Sequence, residues 1–291
     1  MWPAVEATLK VTVPSIRSAE VPLTMLTAYD ATLARLVEGS GAELILVGDS
    51  LGMVVQGRAN TLSVTMDHMV YHTSCVTAVS QRALVVGDMP FRSFHISPEE
   101  TIRNGGRLVA EGGCDAVKLE GRRAPMVRAL VGAEIAVMGH LGLTPQSVHQ
   151  LGGFLVQGRE ELQRQQILDG ARELEDAGCF ALVLECIPFD LAGEITKMLD
   201  IPTIGIGAGP LCRGQVLVTY DVLGMSAGKL PRFVPKNQEF CSAQECLKRF
   251  VAEVRIGRFP SADHCYGLNS ANADLLSGSG RLGPQLEAVR P

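Results

Sequence analysis

Seven short apolar runs punctuate the chain, at Leu23–Thr27, Glu43–Gly48, Ala83–Gly87, Asp115–Leu119, Glu134–Gly139, Phe180–Leu184 and Pro202–Ile206; Val222–Ala227 is a weaker eighth. Their apolar residues are continuous rather than alternating, which marks strands covered on both faces, as in a parallel sheet. Amphipathic stretches lie between them and predict helices over Asp30–Ser40, Thr65–Val79, Pro98–Glu111, Glu160–Ala177 and Phe189–Leu199. Ser97 is placed to cap the third of these, with Pro98 in the first helical position and Glu100 completing a capping box. Gly178 is placed to close the fourth. Repetition of this β-α unit seven or eight times favours an α/β fold closed into a (β/α)8 TIM barrel over an open doubly wound sheet. A Rossmann-like sheet wants a Gly-x-Gly-x-x-Gly turn after its first strand, and none stands there. Gln238–Val254 reads as one more amphipathic helix, and periodicity fades from Leu268 onward. Residues 1–265 are therefore expected to form one barrel domain with a C-terminal helix, and 266–291 a flexible tail.

Composition narrows the function classes. With 46% hydrophobic and 20% charged residues, the 291-residue chain has ample material for a core and is not a disordered one. A formal charge of −5 argues against nucleic-acid and anionic-membrane surfaces. No apolar run approaches the roughly 20 residues that span a bilayer. Met1–Thr12 carries neither the basic-then-apolar order of a secretory leader nor an Arg-rich transit pattern, so a cytoplasmic protein is expected. The eight cysteines are scattered without a Cys-x-x-Cys pair, which predicts idle thiols in a reducing compartment rather than zinc ligands.

The chemistry sits where the apolar runs end. Asp49-Ser50, Asp88, Lys118 with Glu120, His140 and Glu185 lie at the ends of five separate runs. In a parallel barrel those ends open on one face, where active sites are built. Several carboxylates in one mouth repel each other without a cation, and hard oxygen ligands suit Mg²⁺, or Mn²⁺. Lys118 supplies a fixed charge for a substrate carboxylate or enolate. Glu185, after Ala181-Leu182-Val183-Leu184, is expected to be desolvated and to act as a general base. Each residue also has a plainer reading: Asp49 as a turn former or helix cap, Glu185 as a solvated turn residue, His140 as a partner for loop backbone. Gly205-Ile206-Gly207-Ala208-Gly209 follows a strand and reads either as an anion cradle or as a place of close backbone packing. Gly57 and Gly152-Gly153 read as loop hinges. His68 and His72, at i, i+4 spacing in a predicted helix, read as a metal pair or, better, as one half-exposed helix face.

The sequence also resembles the ketopantoate hydroxymethyltransferase family. The matching segments, in order, are MLTAYD (25–30), LVGDSLGMVVQG (46–57), YHT (71–73), GDMPF (87–91), VKLEG (117–121), GHLGLTPQS (139–147), VQGR (156–159), VLEC (183–186), GIGAG (205–209) and DVLGM (221–225). The resemblance implies a barrel of the phosphoenolpyruvate mutase/isocitrate lyase type, assembled as a homo-oligomer such as a decamer. It implies transfer of a hydroxymethyl group from 5,10-methylenetetrahydrofolate to 3-methyl-2-oxobutanoate, giving 2-dehydropantoate and tetrahydrofolate through a Mg²⁺-stabilised enolate, in pantothenate biosynthesis. By match to the family motifs, Asp49, Asp88 and Glu120 hold Mg²⁺. Asp49, Ser50, Asp88 and Lys118 contact the oxoacid, Glu185 accepts the proton, and His140 lies near the folate or the transferred carbon. Arg122, Ser63, Leu155 and the Thr219-Tyr220 pair depart from the family pattern, and none of them is a proposed metal ligand or base. Two other classes remain in view: a Mg²⁺-dependent C–C lyase or phosphonomutase on the same barrel, and an inactive binding scaffold.

Overall fold

The computed structural model describes residues 9–226, 230–235, 242–269, 272 and 274–277. Eight parallel strands close on one another in chain order, β1 pairing with β8. After α1 (Val13–Arg17) come β1 (Leu23–Thr27), α2 (Ala31–Ser40), β2 (Leu44–Val47), α3 (Leu51–Val54), α4 (Met66–Thr77) and β3 (Leu84–Asp88). Next are α5 (Pro98–Ala110), β4 (Ala116–Glu120), α6 (Ala124–Gly132), β5 (Val137–Gly142), α7 (Val148–Leu151), α8 (Glu161–Asp176) and β6 (Ala181–Glu185). The described chain ends with α9 (Phe189–Met198), β7 (Thr203–Ile206), β8 (Gly214–Leu217), α10 (Thr219–Val222), α11 (Ala243–Arg255) and α12 (Asp274–Ser277). The barrel expected from the seven apolar runs is the one observed.

The eighth strand differs from expectation. It is Gly214–Leu217, and Val222 belongs to the short helix that follows. Buried Gln215, whose Nε2 donates to Gly209 O at 3.1 Å, interrupts the apolar signal. Gly214 lets β8 approach β1, since a Cβ there would lie 2.8 Å from Leu23 O. The Glu100 half of the expected capping box also fails. Ser97 Oγ accepts the Glu100 N–H at 3.2 Å, but the Glu100 carboxylate turns to Arg103 and Asn104. Gly178, with φ of 103°, follows the end of α8 as expected. Of the predicted C-terminal helix, 243–255 is observed, and its first residues, 238–241, lie outside the described set, as does most of the tail.

Two apolar layers follow from strand periodicity. Leu84 and Val86, Ala116, Met138, and Ala181 and Val183 fill the barrel interior. Their neighbours Val85, Val117, Val137, Leu182 and Leu184 pack outward against the helices. Ile16 of α1, 1% exposed, joins the interior cluster and seals the barrel at its N-terminal end. Burying that side chain contributes about 2 kcal/mol. Lys10 anchors the same segment, its Nζ donating to Ala83 O and Asp115 Oδ2 at 2.8 Å each. No helix among the described residues is long and apolar enough to cross a membrane. Cys75, Cys114, Cys179, Cys186, Cys212 and Cys265 are free thiols, as expected. Cys246 is disulfide-bonded, which corrects the expectation of idle thiols throughout; reasoning from Cys-x-x-Cys spacing did not register it.

Candidate active site

The inward parity of each strand carries one step beyond the apolar interior into a layer of charge. Leu84 and Val86 are followed at the next inward position by Asp88, Ala116 by Lys118 and Glu120, Met138 by His140, and Val183 by Glu185. Register sets these side by side: Asp88 opposite Lys118, and Glu120 opposite His140. Asp49 comes from the turn after β2, and its backbone N–H approaches Asp88 Oδ2 at 3.4 Å. The residues expected from the ends of the apolar runs thus converge in one mouth.

Lys118 Nζ lies 2.9 Å from Asp88 Oδ1, with both side chains almost fully buried. It also lies 3.4 Å from His140 Nδ1. On the other side of the ring, His140 Nε2 is 3.2 Å from Glu185 Oε2, close but without hydrogen-bond alignment. Glu120 Oε1 is 3.7 Å from His140 Nδ1. Burial, reinforced by the neighbouring Lys118 charge, lowers the His140 pKa, so the imidazole is neutral at pH 7. A neutral ring that accepts from the Lys118 ammonium at Nδ1 carries its proton on Nε2, facing Glu185.

The carboxylates pay for their company. Burial, then repulsion from Asp88, pushes Asp49 up to about 7 despite relief from Lys118 and Gln146. Burial, then Asp49, raises Glu120 well above the usual carboxylate range. Burial alone would discharge Lys118, yet Asp88, Glu120 and Asp49 together outweigh it and raise its pKa. Three buried carboxylates against one ammonium leave two formal negative charges, the charge a divalent cation cancels. Asp88 Oδ1 has no hydrogen-bond donor despite its contact with Lys118. The donor set is all oxygen, which suits a hard cation. These residues fit such an ion in charge and ligand type. As they stand, no three His, Cys, Asp or Glu side chains among the described residues converge closely enough to hold one.

Several plainer readings are now decided. Asp49 is no helix cap. Ser50 occupies the cap position of α3 without a side-chain cap bond, and its Oγ meets the buried Tyr29 hydroxyl at 2.9 Å. Glu185 keeps 16% side-chain exposure, so it is less desolvated than its apolar run suggested. In the glycine run 205–209 close packing accounts for two of the glycines, since a Cβ on Gly207 or Gly209 would strike Phe233 or Phe189. Gly57, Gly152 and Gly153 take positive φ in open space, as loop hinges do. His68 and His72 do not form a metal pair. His68 Nδ1 accepts the Thr65 N–H, while His72 Nδ1 lies 2.6 Å from Tyr29 O. Sequence reasoning passed over Tyr29 and Gln146. Both lie inside the quoted motifs, but a neutral residue gives no charge signal at a strand end.

A closed parallel barrel with a charged layer at the C-terminal ends of its strands is the build of a TIM-barrel enzyme, and its fold is shared by structures of the phosphoenolpyruvate mutase/isocitrate lyase superfamily. Solved structures agree on the fold. Oxaloacetate acetylhydrolase bound to 3,3-difluorooxalacetate superposes with a TM-score of 0.57 at 12% identity, covering 86% of this chain and 96% of its own. A 2,3-dimethylmalate lyase of that superfamily gives 0.55 at 18%, covering 71% and 81%. The phosphonopyruvate hydrolase complex with oxalate and Mg²⁺ gives 0.55 at 12%, covering 70% and 78%. The chain belongs to the ketopantoate hydroxymethyltransferase family, whose sequence profile matches residues 10–262. It is 51% identical to the 3-methyl-2-oxobutanoate hydroxymethyltransferase of Syntrophomonas wolfei subsp. wolfei over 260 residues, 87% of this chain and 93% of the relative. With the Moorella thermoacetica enzyme of the same name it shares 51% over 263 residues, 88% and 98% of the two chains.

Proposed function

We propose that the chain transfers a hydroxymethyl group from 5,10-methylenetetrahydrofolate to 3-methyl-2-oxobutanoate, yielding 2-dehydropantoate and tetrahydrofolate for pantothenate biosynthesis. The observation that carries this reading is the buried Asp49, Asp88, Glu120 and Lys118 cluster set beside His140 and Glu185. In it, Asp49, Asp88 and Glu120 would hold Mg²⁺. That ion, when bound, supplies positive charge where the oxoacid's keto oxygen gains electron density.

The residues divide the remaining work. Lys118 stays protonated among its carboxylates and offers a fixed charge to the oxoacid carboxylate. Asp49, Ser50 and Asp88 complete the oxoacid seat, with the Ser50 hydroxyl held by Tyr29. Glu185 takes the C3 proton, since it combines a buried neighbourhood with residual access to solvent. Neutral His140, its Nε2 beside Glu185, steadies that carboxylate near the transferred carbon. Water opens the one-carbon unit, its oxygen becoming the new hydroxyl and its hydrogens ending on that hydroxyl and the folate. The carbanion at C3 forms the C–C bond as the last carbon–nitrogen bond to tetrahydrofolate breaks, and no covalent protein nucleophile is needed. We place the enzyme in the cytoplasm as a homo-oligomer, in keeping with the family resemblance.

The test is proton NMR of 3-methyl-2-oxobutanoate in D₂O with enzyme and Mg²⁺. Loss of the C3 proton signal, dependent on the metal, is the expected result. No exchange under any condition, with or without tetrahydrofolate, contradicts the enolisation step.

A further inference from the structure

Gln146 is 5% exposed and sits in the 3₁₀ turn Pro145–Ser147 that follows β5. Its Nε2 donates to Asp49 Oδ2 at 2.9 Å and to Met89 O at 2.9 Å. Its backbone N–H donates to Glu120 Oε2 at 3.0 Å. The Met89 carbonyl can only accept, as can Asp49 when ionised, so the amide has one orientation; reversing it would set Oε1 against a carbonyl. Oε1 is thereby left buried with no donor among the described residues. One residue thus ties together the ends of β2, β3 and β4 from a turn that belongs to β5.

From this geometry we infer that Gln146 is a positioning residue for the cation site: it holds Asp49 and Glu120 in register across the barrel mouth and keeps its amide oxygen for a water or ligand of the loaded site. The inference rests on the reading of Asp49, Asp88 and Glu120 as ion ligands. Its physical content lies in the choice of an amide. Each of the two carboxylates has one oxygen satisfied by a neutral donor, and its second oxygen is left for another partner. A lysine at 146 would satisfy the same oxygens but add a positive charge that competes with the cation. A glutamate would add a further carboxylate to a cluster already strained by repulsion. Hydrogen-bond partners behind metal ligands orient them, and their loss weakens metal affinity about 10–100-fold.

The experiment titrates Mn²⁺ into the full chain and follows the free ion by electron paramagnetic resonance, for the wild type, Asp88→Ala, Gln146→Met and Gln146→Asn. Methionine keeps the length and burial of glutamine while removing both side-chain donors; the backbone bond to Glu120 survives. Wild-type binding that Asp88→Ala abolishes establishes the cluster as the ion site. Gln146→Met is then expected to raise the Mn²⁺ dissociation constant about 10–100-fold. The oxoacid KM should rise with it, and kcat should recover at saturating Mn²⁺. A purely structural role for Gln146 would lower unfolding resistance without this recovery. Affinity within about twofold of wild type in Gln146→Met overturns the inference and leaves the cation reading standing. Wild-type Mn²⁺ binding that is absent, or that Asp88→Ala retains, overturns both. Should Gln146→Met fail to fold by circular dichroism, Gln146→Asn decides. Its amide is too short to reach Asp49 and Met89 together, so wild-type affinity there refutes the inference.

Discussion

Alanine at Gly142 tests how tightly the proposed base is built into the barrel. Gly142 ends β5 with φ of 96°, paired in register with Glu185. A Cβ there would lie 2.2 Å from Glu185 O and 2.7 Å from Ile187 Cγ2. The struck carbonyl already accepts the Leu143 N–H at 2.8 Å. A left-handed backbone costs a non-glycine residue about 1–2 kcal/mol. Overpacking against an immovable neighbour adds about 1–3 kcal/mol, and the disturbed hydrogen bond about 1 kcal/mol. Gly142→Ala is therefore expected to lose about 3–6 kcal/mol of stability. Gly152→Ala is the control: its φ is 73°, and nothing lies within 4 Å of the added carbon. It should lose only the backbone term of about 1–2 kcal/mol. Urea unfolding followed by far-ultraviolet circular dichroism reads the difference as a lower midpoint. The same displacement moves Glu185, and a shift of about 1 Å at a reacting group costs roughly a hundredfold in rate. If both variants unfold at one midpoint and turn over alike, the argument that Gly142 seats Glu185 is wrong.

Other predictions address the chemistry directly. Glu185→Gln should retain oxoacid binding by calorimetry and lose C3 exchange by NMR; retained exchange moves the base elsewhere. Asp88→Ala should weaken divalent-metal and oxoacid binding together, and an unchanged oxoacid affinity would separate the two sites. Burial pushes the Cys114, Cys179 and Cys212 thiols up to about 12. A raised thiol pKa means less thiolate at any pH below it, so at pH 8 these cysteines should alkylate at roughly 10⁻³ to 10⁻⁴ of the rate of an ordinary exposed thiol. Mass spectrometry after brief iodoacetamide treatment should find Cys75 labelled first, and early labelling of Cys179 would contradict its burial.

The sequence speaks where one residue's environment decides its part. The first seven strands are legible because buried parallel strands must be apolar throughout. The charged rim is legible because each charge ends such a run. β8 escaped because its burial is achieved with a glycine and a hydrogen-bonded glutamine, neither of which registers as apolar. Glu100 escaped because two partners, Arg103 and Asn104, compete for its carboxylate. Gln146 lay in plain view within a family motif. Its part depends on Asp49, Met89 and Glu120, which are 97, 57 and 26 residues away in sequence, and no local pattern encodes that meeting. In the glycine run 205–209, the close-packing reading is the one the neighbours support, at Phe189 and Phe233.

Ile16 shuts the floor of the barrel, so the charged layer above it faces the opposite, C-terminal rim. Whatever seats deepest, against Lys118 and Asp88, has to enter before anything that covers it and leave after. Two reactants of unequal size sharing this space form a stack, small below large, emptied in reverse order. On the proposed function, the larger one would also be the stopper, keeping bulk water away from the carbanion beneath it until the new bond is made.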